Sequence, residues 1–519
     1  MKRYNILILI LIFYIYLVYG NVNVDTLHNV NQDIAINNPW THPNGTLRSI
    51  RIGIVGAGIG GSSCAYYLNK IFNSSVLSDH NGQKNHLNPH QSSVYPLDIT
   101  IFERERIGGR ARSIIIDNGN VELGASIVHP LNENINQIVK DLGLEKVYGI
   151  ASTKEEPYNI WNGNEMVFTE SQFSFIDKIK LLVNYYWDPI RFKNSRDDIV
   201  QKFLSSYHRK EPFHTVEEFF QNINLSMTTN QTAKQFFVDD VGISENFIQD
   251  ILSAAIRVNY NQNYDQISAF AALIALVGSE DGLYSIKGGN YQMAKSMIEN
   301  SKSTTIHAEV RKIEKMDTPK DAHHPLYKVH TQNPAHPLLL DEHEFDFVVI
   351  AAPIELSYLE FSSNINTDFP KRDYKNVFVY LISAENLQPQ FFNLPPNSKP
   401  PLHVLTSHNT SLPFFSVSKN PRGYLDDGRA LYKIFAPLYL GKDLLDSLFN
   451  NYTVHFQHVW SAYPILTPTD KFPPINIDSG IFYVNSFEHA VSTMETETLS
   501  AKNIAKLIAK AIKRPYVDI

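Results

Sequence analysis

A single cysteine, Cys64, in a chain of 519 residues rules out an intrachain disulfide. It also rules out a multi-thiolate zinc site, and no HExxH pattern takes its place, so no metal centre is expected. Charged residues make up 19% of the chain with a formal net charge of -7, and no basic stripe is present. That argues against a nucleic-acid partner, because phosphate binding needs clustered Lys and Arg. No apolar run reaches the roughly 20 residues a bilayer span requires, so no stable membrane span is expected. The longest run, Ile6 to Tyr19, follows Lys2 and Arg3 and precedes Gly20. A basic start, a short apolar stretch and a small residue form the layout of a secretory signal peptide over residues 1–20. The sequons at Asn44, Asn73, Asn224, Asn230, Asn409 and Asn451 agree with that compartment and are the candidate glycosylation sites.

Residues 21–49 are polar and aperiodic, a flexible lead-in. From Arg51 the chain reads RIGIVGAG, a short apolar strand ending in glycines, then SSCAYYLNKIF at helical spacing. DITIFERE supplies a second strand, and the polar stretch 73–96 between them reads as a surface insertion. Residues 131–280 read mostly helical, with FIDKIKLLVNYYW carrying apolar residues at intervals of three and four. Strand-like blocks follow to 360, strands with Pro-rich turns occupy 361–459, and the end reads as strand, turn and long helix.

The motif with the clearest chemistry is Gly56-Ala57-Gly58-Ile59-Gly60-Gly61, a G-x-G-x-x-G between strand and helix. Gly56 makes the tight turn, Gly58 lets a pyrophosphate approach the backbone, and Gly61 allows close packing of helix on strand. The phosphates then face the positive end of the helix dipole. Glu103, ending the second strand, is the candidate ribose-binding acid; the 73–96 insertion explains its unusual distance from the glycines. Arg104 follows it directly. Gly109 and Arg110, in Gly108-Gly109-Arg110, suit a loop against a diphosphate with the guanidinium as anion partner.

Glycines, acid and GGR together resemble the FAD superfamily of the monoamine and polyamine oxidases, the phytoene desaturases and the Rab GDP-dissociation inhibitors. The blocks VELGASIVHPLNENINQIVKDLGL, SIKGGNYQMAKSMI, WSAYP and FEHAVSTMETETLSAKN resemble the prenylcysteine oxidase (prenylcysteine lyase) family over nearly the whole chain after residue 50. That resemblance implies an α/β fold: a Rossmann-type FAD-binding domain (50–130, 281–360 and 460–519) with a discontinuous, mixed α/β substrate domain (131–280 and 361–459). It implies FAD as cofactor, prenylcysteine and molecular oxygen as substrates, and the lysosome as the site of action. The products would be cysteine, an isoprenoid aldehyde and hydrogen peroxide. The alternatives are another amine or polyene flavin oxidase of this fold, or a prenyl-binding module without catalysis. The intact glycine fingerprint and the signal-like N-terminus argue against the module.

Individual residues carry less. By position in the superfamily, Val310 meets the adenine, and Glu488 and Met494 lie in the C-terminal FAD segment. His129 is either the base for the attacking water or a structural histidine bonded to backbone. Lys287 is either a water-orienting group or a surface lysine. Cys64 reads as a buried free thiol.

Overall fold

The computed structural model describes residues 48–73, 76–78, 84–86, 96–148, 156–171, 174–278, 282–317, 325–335, 339–408 and 411–512. The 1–20 signal segment, Asn44 and Asn409 lie outside the described residues, as does nearly all of the lead-in.

The IRIGIV run forms strand β1 (Ile50–Val55), whose Ile50, Ile52 and Ile54 are fully buried. The glycine turn then starts helix α1 (Ile59–Asn73). Strand β2 (Leu97–Glu103) returns parallel to β1, with Ile54 opposite Ile101. A hairpin follows, β3 (Ser113–Ile116) and β4 (Gly119–Glu122). Residues 158–169, inside the stretch that reads helical, supply two short strands, β5 (Tyr158–Trp161) and β6 (Met166–Thr169). Four-residue strands are too short to show a period of two, and the partner of β5 is distant in sequence, so periodicity alone misses them. Helices α2 (Ser174–Tyr185), α3 (Asp188–Leu204), α4 (Ser253–Tyr260) and α5 (Ala269–Val277) form one wall of the substrate domain.

Helix α6 (Tyr291–Ser301) leads to β7 (Thr304–His307), β8 (Glu309–Lys315) and β9 (Phe347–Ile350). Strands β10 (Tyr374–Leu387), β11 (His403–Thr406), β12 (Ser416–Tyr424), β13 (Ala430–Ala436) and β14 (Phe449–Pro464) follow. The chain closes with β15 (Asn476–Asp478), β16 (Ile481–Tyr483) and helix α7 (Met494–Ala511).

Two sheets organise these elements. The first has the order β7-β2-β1-β9-β16-β15 and is parallel except at its β15 edge. A parallel sheet needs cover on both faces. Helix α1 provides one face, wedged between α6 and α7, with most of its length buried. Neighbours β2 and β9 leave β1 in opposite directions, which opens a crevice at its carboxyl end. The second sheet has the order β14-β10-β13-β12-β11-β5-β6. Along β10, Val377, Val379 and Leu381 pack on one face while Tyr380, Ile382 and Ala384 pack on the other, as a period of two requires.

Candidate functional site: a dinucleotide cradle opening into a long cavity

The glycine fingerprint is built as its sequence requires. Gly56 has a φ of 101°, open to glycine but strained for other residues. A Cβ on Gly61 would stand 2.0 Å from the Gly56 carbonyl oxygen, so only glycine lets α1 start this close to β1. A Cβ on Gly58 would meet nothing nearer than the Gly109 Cα at 3.9 Å, so a side chain there would project into the adjoining cavity. Gly109 (φ 57°) closes the other side, with Gly58 and Gly108 bridged. The first turn of α1 carries no acidic residue of its own. Backbone donors at the positive end of a helix dipole, with room where a Cβ would be, fit the pyrophosphate of FAD.

Glu103 anchors the cradle from the end of β2. It accepts the Ala57 N–H at 2.8 Å and the N–H groups of Glu105 and Arg106 at 2.8 and 3.2 Å. A carboxylate has about four acceptor positions, so capacity remains for ribose hydroxyls. Arg104 lies at the rim, 3.5 Å from Glu309. Val310, on β8, and Met494, the first residue of α7, both line the cavity.

Arg110 and Glu488 form an ion pair beside the cradle, a contact the sequence does not announce. The Arg110 Nη1 donates to the Glu488 carboxylate and to the Ala462 carbonyl at 2.9 Å, while Arg110 also lines the cavity. Glu488 is completely buried, takes further bonds from Ser492, Asn485 and Tyr374, and does not reach the cavity wall. It therefore positions Arg110. Burial pushes Glu488 upward, but the Arg110 charge outweighs it and holds the acid below the usual carboxylate range. Nearby Glu497 lies against Gly60, where a Cβ would be 2.7 Å from its Oε2. Burial and the Glu488 charge push Glu497 up to about 8. At lower pH it is neutral and adds no repulsion beside a diphosphate.

His129 lines the cavity, but its Nδ1 accepts the Leu131 N–H at 3.1 Å. That bond occupies the lone pair a base would use, while its carbonyl accepts the Asn132 N–H at 3.0 Å. The histidine serves the turn after GASIV. Lys287 pairs with Glu145 at 2.8 Å on the surface. Cys64 is fully buried, and burial raises its thiol pKa. The asparagines of four sequons, Asn73, Asn224, Asn230 and Asn451, have exposed side chains.

The cradle opens into a cavity of 2110 Å³. Single-ligand pockets run to roughly 300–1,000 Å³, so this one has room for a cofactor and a second ligand. Its floor is the face of the second sheet, and two neighbouring rungs differ in chemistry. One rung is Lys433, Ser418, His403 and Tyr158, on β13, β12, β11 and β5. The next is Phe435, Ser416, Leu405 and Ile160. Helix residues such as Leu181, Phe192, Ile199, Phe203 and Leu273 line the opposite wall.

Lys433 stands where the polar rung meets the GASIV segment. Its Nζ donates to Ser126 Oγ at 3.0 Å and to the Glu122 carbonyl at 3.2 Å. Burial pushes Lys433 down to about 8, against the pull of the Glu122 charge. Burial likewise pushes Glu122 up to about 7, although its carboxylate accepts the Asn290 N–H at 2.6 Å. At the far end of the rung Glu156 pairs with Lys419 and lies 3.7 Å from His403 Nε2. Burial drives His403 down to about 4, so it is neutral near pH 7. Sequence reading passed over all of these residues. A lone Lys inside the otherwise apolar run ALYKIFA is the one signal that could have pointed to Lys433.

Fold and cradle together define a Rossmann-type FAD-binding protein in which a dinucleotide site opens into a large second cavity. The fold is shared with putrescine oxidase (14% identity, TM-score 0.55, covering 89% of this chain and all 100% of that one). It is also shared with a fatty acid isomerase from P. acnes (14%, TM-score 0.55, 88% and 97%). The family model described as prenylcysteine lyase matches residues 168–519, and that of an NAD(P)-binding Rossmann-like domain matches 86–142. Over 487 residues the chain is 30% identical to prenylcysteine oxidase 1 of Homo sapiens, covering 88% of each. It is 29% identical over 471 residues to farnesylcysteine lyase of Arabidopsis thaliana, covering 88% of this chain and 87% of that one. The chain belongs to the prenylcysteine lyase family.

Proposed function

We propose that the protein is an FAD-dependent thioether oxidase that cleaves farnesylcysteine and geranylgeranylcysteine. The net reaction converts prenylcysteine, oxygen and water to an isoprenoid aldehyde, free cysteine and hydrogen peroxide. The observation that carries this reading is the two-sided cavity. A charged rung beside an apolar rung and apolar helices suits a ligand with an amino-acid head and a long hydrocarbon tail.

Gly58, Glu103, Gly109 and Val310 would hold FAD, which would supply the hydride acceptor, with oxygen as the terminal oxidant. The carbon between sulfur and the allylic double bond is the favoured donor, because both neighbours stabilise developing positive charge. Lys433 offers a cation to the substrate carboxylate, and Glu156 with Lys419 offers both signs at the other end of the rung. The helix wall takes the prenyl chain and keeps water from it. Water then adds to the oxidised carbon, and the resulting hemithioacetal collapses to aldehyde and thiol.

The protein acts in the secretory pathway, at the lysosome, on this reading. The 1–20 segment and the exposed sequon asparagines support it. Glu122 and Glu497, which burial keeps protonated at acidic pH, suit an acidic compartment.

Anaerobic stopped-flow tests the reaction. Farnesylcysteine should bleach the flavin, and admitting oxygen should release hydrogen peroxide. Bleaching by spermine but by neither prenylcysteine would move the protein to the amine oxidases.

A further inference from the structure

Helix α2 is built in an unusual way for a helix of a water-soluble domain. None of its residues is buried. Phe175, Ile179, Leu182, Val183 and Tyr186 recur at helical spacing, which places them on one stripe. That stripe faces outward, with Phe175 60% and Val183 69% exposed. Trp187 (66% exposed) and Ile190 extend it into α3. The opposite side of the same helix, through Ser174, Asp177 and Leu181, lines the cavity. One helix thus separates the substrate cavity from an exposed apolar strip.

We propose that α2 and the start of α3 dock on the surface of an anionic phospholipid bilayer and pass prenyl substrate from the lipid into the cavity. The choice of substrate rests on the thioether-oxidase reading; the choice of surface rests on the helix. At 12 residues α2 is about 18 Å long, too short to cross a hydrocarbon core of about 30 Å, so it lies in the interface. Lys178 and Lys180 are exposed at the two flanks of the stripe; Lys178 also borders the cavity, and Lys180 lies 3.5 Å from Asp177, the only acid on α2, which accepts the Ser171 N–H at 2.9 Å. Lysines flanking an apolar stripe are drawn to anionic headgroups. Tyr186 and Trp187 end the helix with the amphipathic rings that favour the headgroup level. A protein partner would cover the strip without supplying anything to the cavity behind it, whereas lipid holds the hydrophobic ligand that the cavity would take.

The test uses the full mature holoenzyme and vesicles of phosphatidylcholine, with and without phosphatidylserine. The wild type should sediment with the vesicles, and more so with phosphatidylserine. A Phe175→Glu/Val183→Glu variant should lose vesicle affinity by about tenfold or more, the scale of withdrawing one or two such side chains from apolar surroundings. With geranylgeranylcysteine carried in vesicles, kcat/KM should fall by a similar factor. With the same substrate dispersed in detergent, kcat/KM and flavin content should match the wild type. A wild-type enzyme that stays in the supernatant, or a variant that binds vesicles as well as the wild type, overturns the proposal. So does light scattering that shows a wild-type dimer made monomeric by the variant with vesicle binding unchanged, since a second copy would then own the strip. A wild type that binds vesicles but acts on neither substrate form would count against the thioether reading alone, because sedimentation is measured without substrate.

Discussion

The Lys433 ammonium donates to the Glu122 carbonyl at 3.2 Å, tying an inner strand of the second sheet to the last residue of the hairpin that borders the dinucleotide cradle. This contact joins the second sheet to the cradle side of the cavity that both residues line. It also places a titrating pair on the cavity wall.

Lys433→Met should raise the KM for farnesylcysteine by about tenfold to a hundredfold, the scale of a lost charge-assisted hydrogen bond. Flavin content should not change. Anaerobic reduction rates against substrate concentration give the comparison, and an unchanged concentration dependence would remove Lys433 from substrate binding.

Glu122 gives the stability a pH dependence with a definite sign. Burial raises its folded value from 4.5 to about 7, so the folded state binds the extra proton between those limits. Stability from this group is therefore fully present below about pH 4.5 and is lost as pH rises through 7. The contribution is on the order of 3 kcal/mol. Urea unfolding of wild type and Glu122→Gln at intervals across this range should show the wild type losing ground to the variant as pH rises. Parallel curves would mean that Glu122 is ionised throughout.

Gly58→Val should place a side chain in the pyrophosphate space without disturbing the fold, since its Cβ meets no protein atom closer than 3.9 Å. The purified variant should be folded by circular dichroism and colourless. Stoichiometric FAD in that variant would contradict the assigned cradle.

Chain length should tune affinity. Each buried CH₂ contributes about 0.8 kcal/mol, so geranylgeranylcysteine should bind at least as well as farnesylcysteine. S-Propylcysteine, lacking the tail and the allylic bond, should scarcely reduce the flavin. Equal rates for all three would show that the helix wall does not hold the chain.

Secretion predicts a mature chain beginning after about residue 20, as the length of a signal peptide implies, with glycan on at least one of Asn73, Asn224, Asn230 and Asn451. Intact-mass and peptide mapping of protein from its native source reads both. Finding Met1 and bare sequons would refute the secretory assignment.

The dinucleotide cradle was legible in the sequence because its determinants are local. Gly56, Gly58 and Gly61 act through a turn of a few residues, and Glu103 ends a strand whose apolar run announces it. The same locality accounts for the closing helix α7, where Thr493 caps the first turn. Other features belong to the tertiary structure alone. GGR places Arg110 beside the cradle but says nothing about Glu488, which lies 378 residues further on and pairs with it. The polar rung of Lys433, Ser418, His403 and Tyr158 exists only once four strands from distant parts of the chain align in register. The apolar periodicity of α2 established a helix in advance, but not which side meets protein. Spacing determines that a stripe exists; only packing decides whether it faces a core, a cavity or the outside.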